Sequence, residues 1–203
     1  MTTTHSLQCT CGGLRGDVDR SFSVNRGSCF CRDCQAFAHV LGRADAILTP
    51  QGGTDIVQTQ PQRVRFVQGV DHLACLRLTP KGLLRWYAGC CNTPIGNTPS
   101  DFKLSFVGLI HSCLEGNGQP PLDDAFGPLR MRVHTQSARG EPRPSSTGTL
   151  RAIARVVGAI LSARVSGSYR RTPFFDPDTG RPVVEPRVLS RDQWNEVMAK
   201  VRS

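Results

Sequence analysis

Residues 72–94 read HLACLRLTPKGLLRWYAGCCNTP, and this stretch decides the fold. His72–Thr79 is the strongest strand pattern of the chain, apolar on both faces as a central strand requires. Thr79-Pro80-Lys81-Gly82 puts Pro and Gly where a type I turn wants them. Leu83–Ala88 then returns antiparallel and delivers Gly89, Cys90 and Cys91. A hairpin that ends on two cysteines can carry thiols back to a distant part of the chain.

Such a distant part exists. Seven of the nine cysteines fall in three clusters: Cys9 with Cys11 followed by Gly12 and Gly13; Cys29, Cys31 and Cys34; and Cys90 with Cys91. An odd number of cysteines cannot pair completely, and no basic-then-apolar leader opens the sequence. The chain is therefore expected in the cytoplasm, where thiols stay reduced. Thiolates two or three residues apart converge on a soft cation. Zinc is the expected ion, and an iron–sulfur cluster is the other sulfur-rich option. Cys9 and Cys11 supply two ligands of a closed structural site, and the Cys90/Cys91 knuckle is their distant complement. Cys29, Cys31 and Cys34 offer three thiolates with no local fourth, the arrangement of an open zinc site. His39 reads as an ordinary helix histidine, and Cys75 and Cys113 as packing residues.

Around these clusters, residues 5–9 and 14–18 read as strands and Asn25–Cys31 as a loop. Asp33–Leu41 reads as a short helix that Asp33 is positioned to cap, and Ala46–Leu48, Asp55–Gln58, Arg63–Val67 and Leu104–Ile110 read as strands. After residue 113 the texture changes. Residues 136–149 have linker composition. Leu150–Val165 is an amphipathic helix whose stripe of Leu150, Ile153, Val157, Ile160, Leu161 and Val165 is expected to dock on the core rather than on a membrane. Residues 174–180 read as a turn, and Ser190–Val201 as a final helix capped by Ser190, with Trp194, Val197, Met198 and Val201 inward.

The chain carries 25 Lys and Arg against 16 Asp and Glu, a net of +9. Residues 128–203 hold 14 of the basic and 6 of the acidic side chains, so nearly all the excess lies there. A basic segment attracts phosphate or acidic partners. No apolar run reaches the ~20 residues of a membrane span, and no membrane partner is expected.

Cys9-Thr10-Cys11-Gly12, Cys29-Phe30-Cys31-Arg32-Asp33-Cys34 and Trp86 to Pro94, in this order and spacing, resemble the family of glutathione-dependent formaldehyde-activating enzymes, which includes centromere protein V. The resemblance covers roughly residues 5–112. It implies a mainly β fold: a small antiparallel, β-tent-like zinc-binding domain with one short helix over residues 1–112. Residues 113–203 are then a basic α+β extension with two helices, outside the resemblance. It also implies two zinc ions, one structural and one open. Cys9, Cys11, Cys91 and Cys90 would hold the first, and Cys29, Cys31 and Cys34 the second. The implied activity is that of a carbon–sulfur lyase similar to S-(hydroxymethyl)glutathione synthase, joining glutathione or a similar small thiol to formaldehyde or another small aldehyde. Arg32 or Arg43 could meet a carboxylate of glutathione. The alignment departs at Ala88, which stands where the family has the first cysteine of its last pair, so the resemblance implies Cys91 as a ligand and leaves Cys90 open. Adjacent residues in an extended chain point to opposite sides: either Cys90 adds its thiolate from a shifted loop, or water or another residue completes a three-cysteine site. The alternative reading is a zinc-stabilised binding module whose basic C-terminal half contacts nucleic acid or an acidic protein. Neither substrate nor oligomeric state follows from the sequence.

Overall fold

The computed structural model describes residues 4–22, 25–116, 118–140, 142 and 149–202. The protein is mainly β, with two sheets of mostly antiparallel strands. Strands β1 (Thr4–Gln8), β2 (Arg15–Asp19) and β5 (Val64–Gln68) form a three-stranded sheet. The larger sheet takes β3 (Asn25–Cys29), β4 (Thr54–Thr59), β6 (Leu73–Arg77), β7 (Leu84–Ala88), β8 (Thr93–Thr98) and β9 (Val107–Ile110). Two short strands, β10 (Met131–Val133) and β11 (Arg187–Val188), complete it in the order β10-β3-β4-β9-β8-β7-β6-β11. β10 runs parallel to β3 and β11 parallel to β6; the other pairs are antiparallel. The helices are α1 (Arg32–Val40), α2 (Ala44–Ile47), α3 (Leu122–Phe126), α4 (Thr149–Val165) and α5 (Arg191–Arg202).

The period-2 alternation of β7 divides the interior. Leu84, Trp86 and Ala88 enter a core shared with Leu7, Leu14 and Val18 of the small sheet, while Tyr87 packs on the opposite side. There α1 and α5 cover the large sheet through Phe37, Leu41, Trp194 and Val197. Ser190 caps α5 as expected: its Oγ takes the Gln193 N–H at 3.2 Å, and Gln193 Oε1 takes the Ser190 N–H at 3.1 Å. The hairpin turn also forms, with the Gly82 N–H donating to the Thr79 carbonyl at 3.0 Å.

Four expectations are corrected. Asn25–Cys31 is not a loop: its first five residues are β3, between β4 and β10. Its polar letters conceal a buried strand, because Arg26 is neutralised by Asp123 and also donates to the Gly127 carbonyl. Ala46–Leu48 is not a strand; the chain there makes the single turn α2, closed by the Leu48 N–H on the Ala44 carbonyl. The 72–79 segment lies next to the sheet edge rather than at its centre, because only two residues of β11 cover it. Finally, most of the apolar stripe of α4 does not dock on the core. Ile153, Val157, Leu161 and Val165 are exposed, Ile160 is half-buried, the Leu150 side chain lies outside the described ones, and the buried positions are Ala159 and Ala163.

The segment after residue 113 is interwoven with what precedes it. It supplies both edge strands, and Phe174 and Phe175 pack against Trp86 at 5.1 and 6.1 Å between ring centroids. Within the 136–149 stretch read as a linker, the Ser137 carbonyl accepts from Gln35 Nε2 and the Arg139 N–H donates to the Gln51 carbonyl. Residues 141 and 143–148 of that stretch lie outside the described residues.

Candidate metal centres

The Cys9–Gly13 turn and the turn between β7 and β8 meet. Cys9, Cys11, Cys90 and Cys91 bring their sulfurs within 4.8 Å of one another. Sγ–Sγ separations are 3.5 Å for Cys9–Cys11, 3.9 Å for Cys9–Cys90, 3.3 Å for Cys11–Cys90 and 3.9 Å for Cys90–Cys91. All nine cysteines are free thiols. A tetrahedron of sulfurs about 2.3 Å from a zinc-sized ion has edges of about 3.8 Å, so the donor set fits such an ion. Cys90 therefore joins Cys91. The alternation that separates neighbouring side chains applies to extended chain, and this segment is not extended. The Cys91 N–H folds back on the Ala88 carbonyl at 3.3 Å, and Asn92 takes a left-handed φ of 55°. Gly13 lacks a side chain for a local reason: a Cβ there would stand 3.3 Å from the Cys90 sulfur and 3.4 Å from that of Cys11.

The environment differentiates these thiols. Burial pushes Cys9 up, opposed by the Leu14 N–H that donates to its sulfur at 3.2 Å. Burial acts the same way on Cys91, but hydroxyls of Thr10 and Thr93 and backbone N–H groups overcome it and bring its thiol down to about 5. Burial and the neighbouring sulfurs raise Cys90. Cys91 thus forms a thiolate readily, whereas Cys9 and Cys90 need a cation to ionise.

Cys29 ends β3, Cys31 is the N-cap of α1 and Cys34 lies in its first turn, again with the sulfurs within 4.8 Å. Among the described residues no other His, Cys, Asp or Glu joins this group at that range. His39 stays outside it. The cap is Cys31 rather than Asp33: its sulfur accepts the Cys34 N–H at 3.4 Å. Hydrogen bonds from Cys29 and Cys34 hold the Cys31 thiol far below its ordinary value, and the same contacts raise Cys34 well above it. Three thiols together thus carry one negative charge easily and resist the next, which a divalent ion reverses. Two cysteine clusters, one with four donors and one with three, could each hold a metal ion.

Arg85, which the sequence reading passed over, is a buried charge that acts on the three-cysteine cluster. It is 2% exposed, pairs with Asp33 at 3.6 Å and donates to Asn97 Oδ1 at 3.2 Å. Its guanidinium sits 5.4 Å from the Phe37 ring centroid, and its charge favours the Cys31 thiolate. Arg32, by contrast, is exposed and Arg43 half-buried. Replacing Arg85 by Met is expected to weaken metal binding at the three-cysteine cluster by about tenfold or more and to leave the four-cysteine cluster unchanged. Competition with a chromophoric chelator reads both sites; an equal loss at both would make Arg85 a purely structural residue.

The architecture and both clusters lie almost wholly within residues 1–186, which match a single family along that length. The chain belongs to the family of unknown function DUF6151. A crystal structure of a Rhodobacter sphaeroides protein, a Northeast Structural Genomics target, is similar to this DUF6151 chain with 17% identity and a TM-score of 0.40. The similarity covers 61% of this chain and 96% of that one. Comparison with curated proteins gives no match. Among the described residues no helix of this DUF6151 protein is long and apolar enough to cross a membrane.

Proposed function

We propose that the protein is a two-zinc, thiol-dependent enzyme of the carbon–sulfur lyase type, joining glutathione or a similar small thiol to formaldehyde or another small aldehyde. The observation that carries the reading is the asymmetry between the clusters: four sulfurs close one site, whereas three leave the other with a position to fill. Cys9, Cys11, Cys90 and Cys91 hold the structural ion, and Cys29, Cys31 and Cys34 the open one. A zinc ion bound there supplies Lewis acidity, which lowers the pKa of a thiol or polarises a carbonyl.

The chain's own residues do the rest. Three thiolates and a divalent cation sum to −1, and buried Arg85, although paired with Asp33, adds a positive field that favours the Cys31 thiolate. The N-terminal turn of α1 directs the Cys34 N–H at the Cys31 sulfur and so stabilises the thiolate form. The addition forms one carbon–sulfur bond, and the thiol proton ends on the former carbonyl oxygen; no oxidant or reductant is needed.

Zinc stoichiometry and X-ray absorption test the proposal. The expected result is two zinc ions per chain, one in a four-sulfur shell and one in a three-sulfur shell that gains a sulfur when glutathione is added. Cys34→Ser should then abolish thiol-dependent aldehyde consumption, by about a hundredfold or more on the scale of losing a catalytic metal ligand. Two four-sulfur shells indifferent to glutathione would exclude the enzyme reading.

A further inference from the structure

The stripe expected to dock on the core is the outward face of α4. Ile153 is 54% exposed, Val157 48%, Leu161 57% and Val165 91%. At 100° per residue, positions four apart advance by about 40°, so the four side chains form one continuous strip along the helix. Among the described side chains of α4 the buried ones, Ala159 and Ala163, lie on another flank, where Gln60 Nε2 donates to the Ala159 carbonyl at 2.8 Å. An unbroken aliphatic strip of this length calls for a partner that removes it from water.

Charge decides which partner. No acidic residue occurs between Glu141 and Asp176. Within that interval Arg155, Arg164, Arg170 and Arg171 are all exposed, and Arg170 is stacked over Tyr169. A second copy of the chain would bring arginines against arginines. An anionic partner is favoured instead, and it has to accept a straight aliphatic strip that faces away from the buried Ala159 and Ala163 and has basic side chains beside it. The surface of an anionic bilayer offers both an apolar interior for the strip and phosphates for the arginines.

We infer that α4 is a membrane-surface helix: the Ile153–Val157–Leu161–Val165 strip enters the interface of an anionic phospholipid bilayer, and Arg164, Arg170 and Arg171 pair with its phosphates. The helix lies in the plane of the surface and does not span it. Arg164 falls on the side of the helix that carries the strip, Arg170 and Arg171 follow just beyond its C-terminal end, and long basic side chains of this kind reach the headgroups from an interfacial helix. Docking of this kind is independent of what the cysteine clusters do.

Flotation of the full-length protein with vesicles tests the inference. The expected result is binding to phosphatidylcholine vesicles containing about 30% phosphatidylserine, at least about tenfold stronger than to phosphatidylcholine alone, and weakened by salt. Val157→Asp or Leu161→Asp should reduce it by about tenfold or more, and Arg170→Gln or Arg171→Gln by about fivefold each. All four positions are exposed, so melting temperature and metal content should stay those of the parent, which separates lost docking from lost folding. Absence of flotation with either vesicle overturns the proposal. So does a dimer dissolved by Val157→Asp, which would make the strip a contact between copies. Equal binding to polyglutamate or a DNA duplex, untouched by Leu161→Asp, would reduce the surface to charge alone and also defeat it.

Discussion

Serine in place of Cys90 is expected to lower the melting temperature by about 10 °C or more and to remove one metal ion per chain. Cys90 is exposed, and substitutions of exposed residues ordinarily change stability by no more than about 0.5 kcal/mol. A larger effect therefore cannot come from packing. Its source would be an ion held by the sulfurs that Cys90 joins with Cys9 and Cys11, bridging the first turn of the chain and the β7–β8 turn about 80 residues later in sequence. Losing one of four ligands at a structural site costs several kcal/mol, because metal binding there is folding energy. For a chain of this size each kcal/mol moves the midpoint by about 2–4 °C. Chelator treatment strips both clusters, so it should lower the parental midpoint at least as far as the substitution does, and should lower that of Cys90→Ser by less than it lowers the parent's. Cys75→Ser is the control: that residue is buried, lies outside both clusters and has its thiol pushed up to about 12 by burial, so its change should leave metal content intact. A parental midpoint and full metal content in Cys90→Ser would show that the four sulfurs hold nothing.

The cysteine clusters were legible because their chemistry is carried by local spacing, and because the 72–94 hairpin gave a physical route for closing a long-range site. Cys90 was not decidable from sequence: its convergence depends on a left-handed Asn92 and a turn from Ala88 to Cys91, neither of which periodicity reports. β3 was hidden for the opposite reason. Asn25, Arg26, Gly27 and Ser28 have the composition of a loop, yet all four are buried, and the partners that admit the Arg26 charge, Asp123 and the Gly127 carbonyl, lie about 100 residues further along the chain. Gly27 permits the close approach of β10: a Cβ there would lie 3.0 Å from that of Met131. Arg85 left one faint sign, its alternation with Leu84 and Trp86, which puts it on the helix-covered face. Its acidic partner, Asp33, lies on α1 and nothing in sequence couples the two. The α4 stripe shows the limit of amphipathic reasoning most clearly. Periodicity identifies a face but does not say what covers it.

Truncation after residue 112 is expected to leave a chain that does not fold cooperatively, even though both cysteine clusters lie inside the fragment. The cut removes β10 and β11, exposing unpaired strand edges on both sides of the large sheet. It also removes Phe174 and Phe175, which are 0% and 2% exposed and fill the core beside Trp86. These rings are fixed in place: the Val183 N–H donates to the Phe174 carbonyl and the Asp176 N–H to that of Arg181, closing the 174–183 hairpin against the sheet. Leu114, Leu122, Leu189 and Val197, all buried, leave with them. Losing one core Phe costs about 3–5 kcal/mol, against a total stability of about 5–15 kcal/mol for a domain. Several such losses together exceed what a structural metal ion restores, so added zinc should not rescue the fragment. In the full chain, Phe174→Ala alone should lower the melting temperature by about 10 °C with both ions retained. Dispersed amide spectra and a cooperative melt from residues 1–112 would mean instead that the C-terminal segment is an accessory to a self-sufficient domain, and that the paired edges and the Phe174–Trp86 contact contribute little to folding.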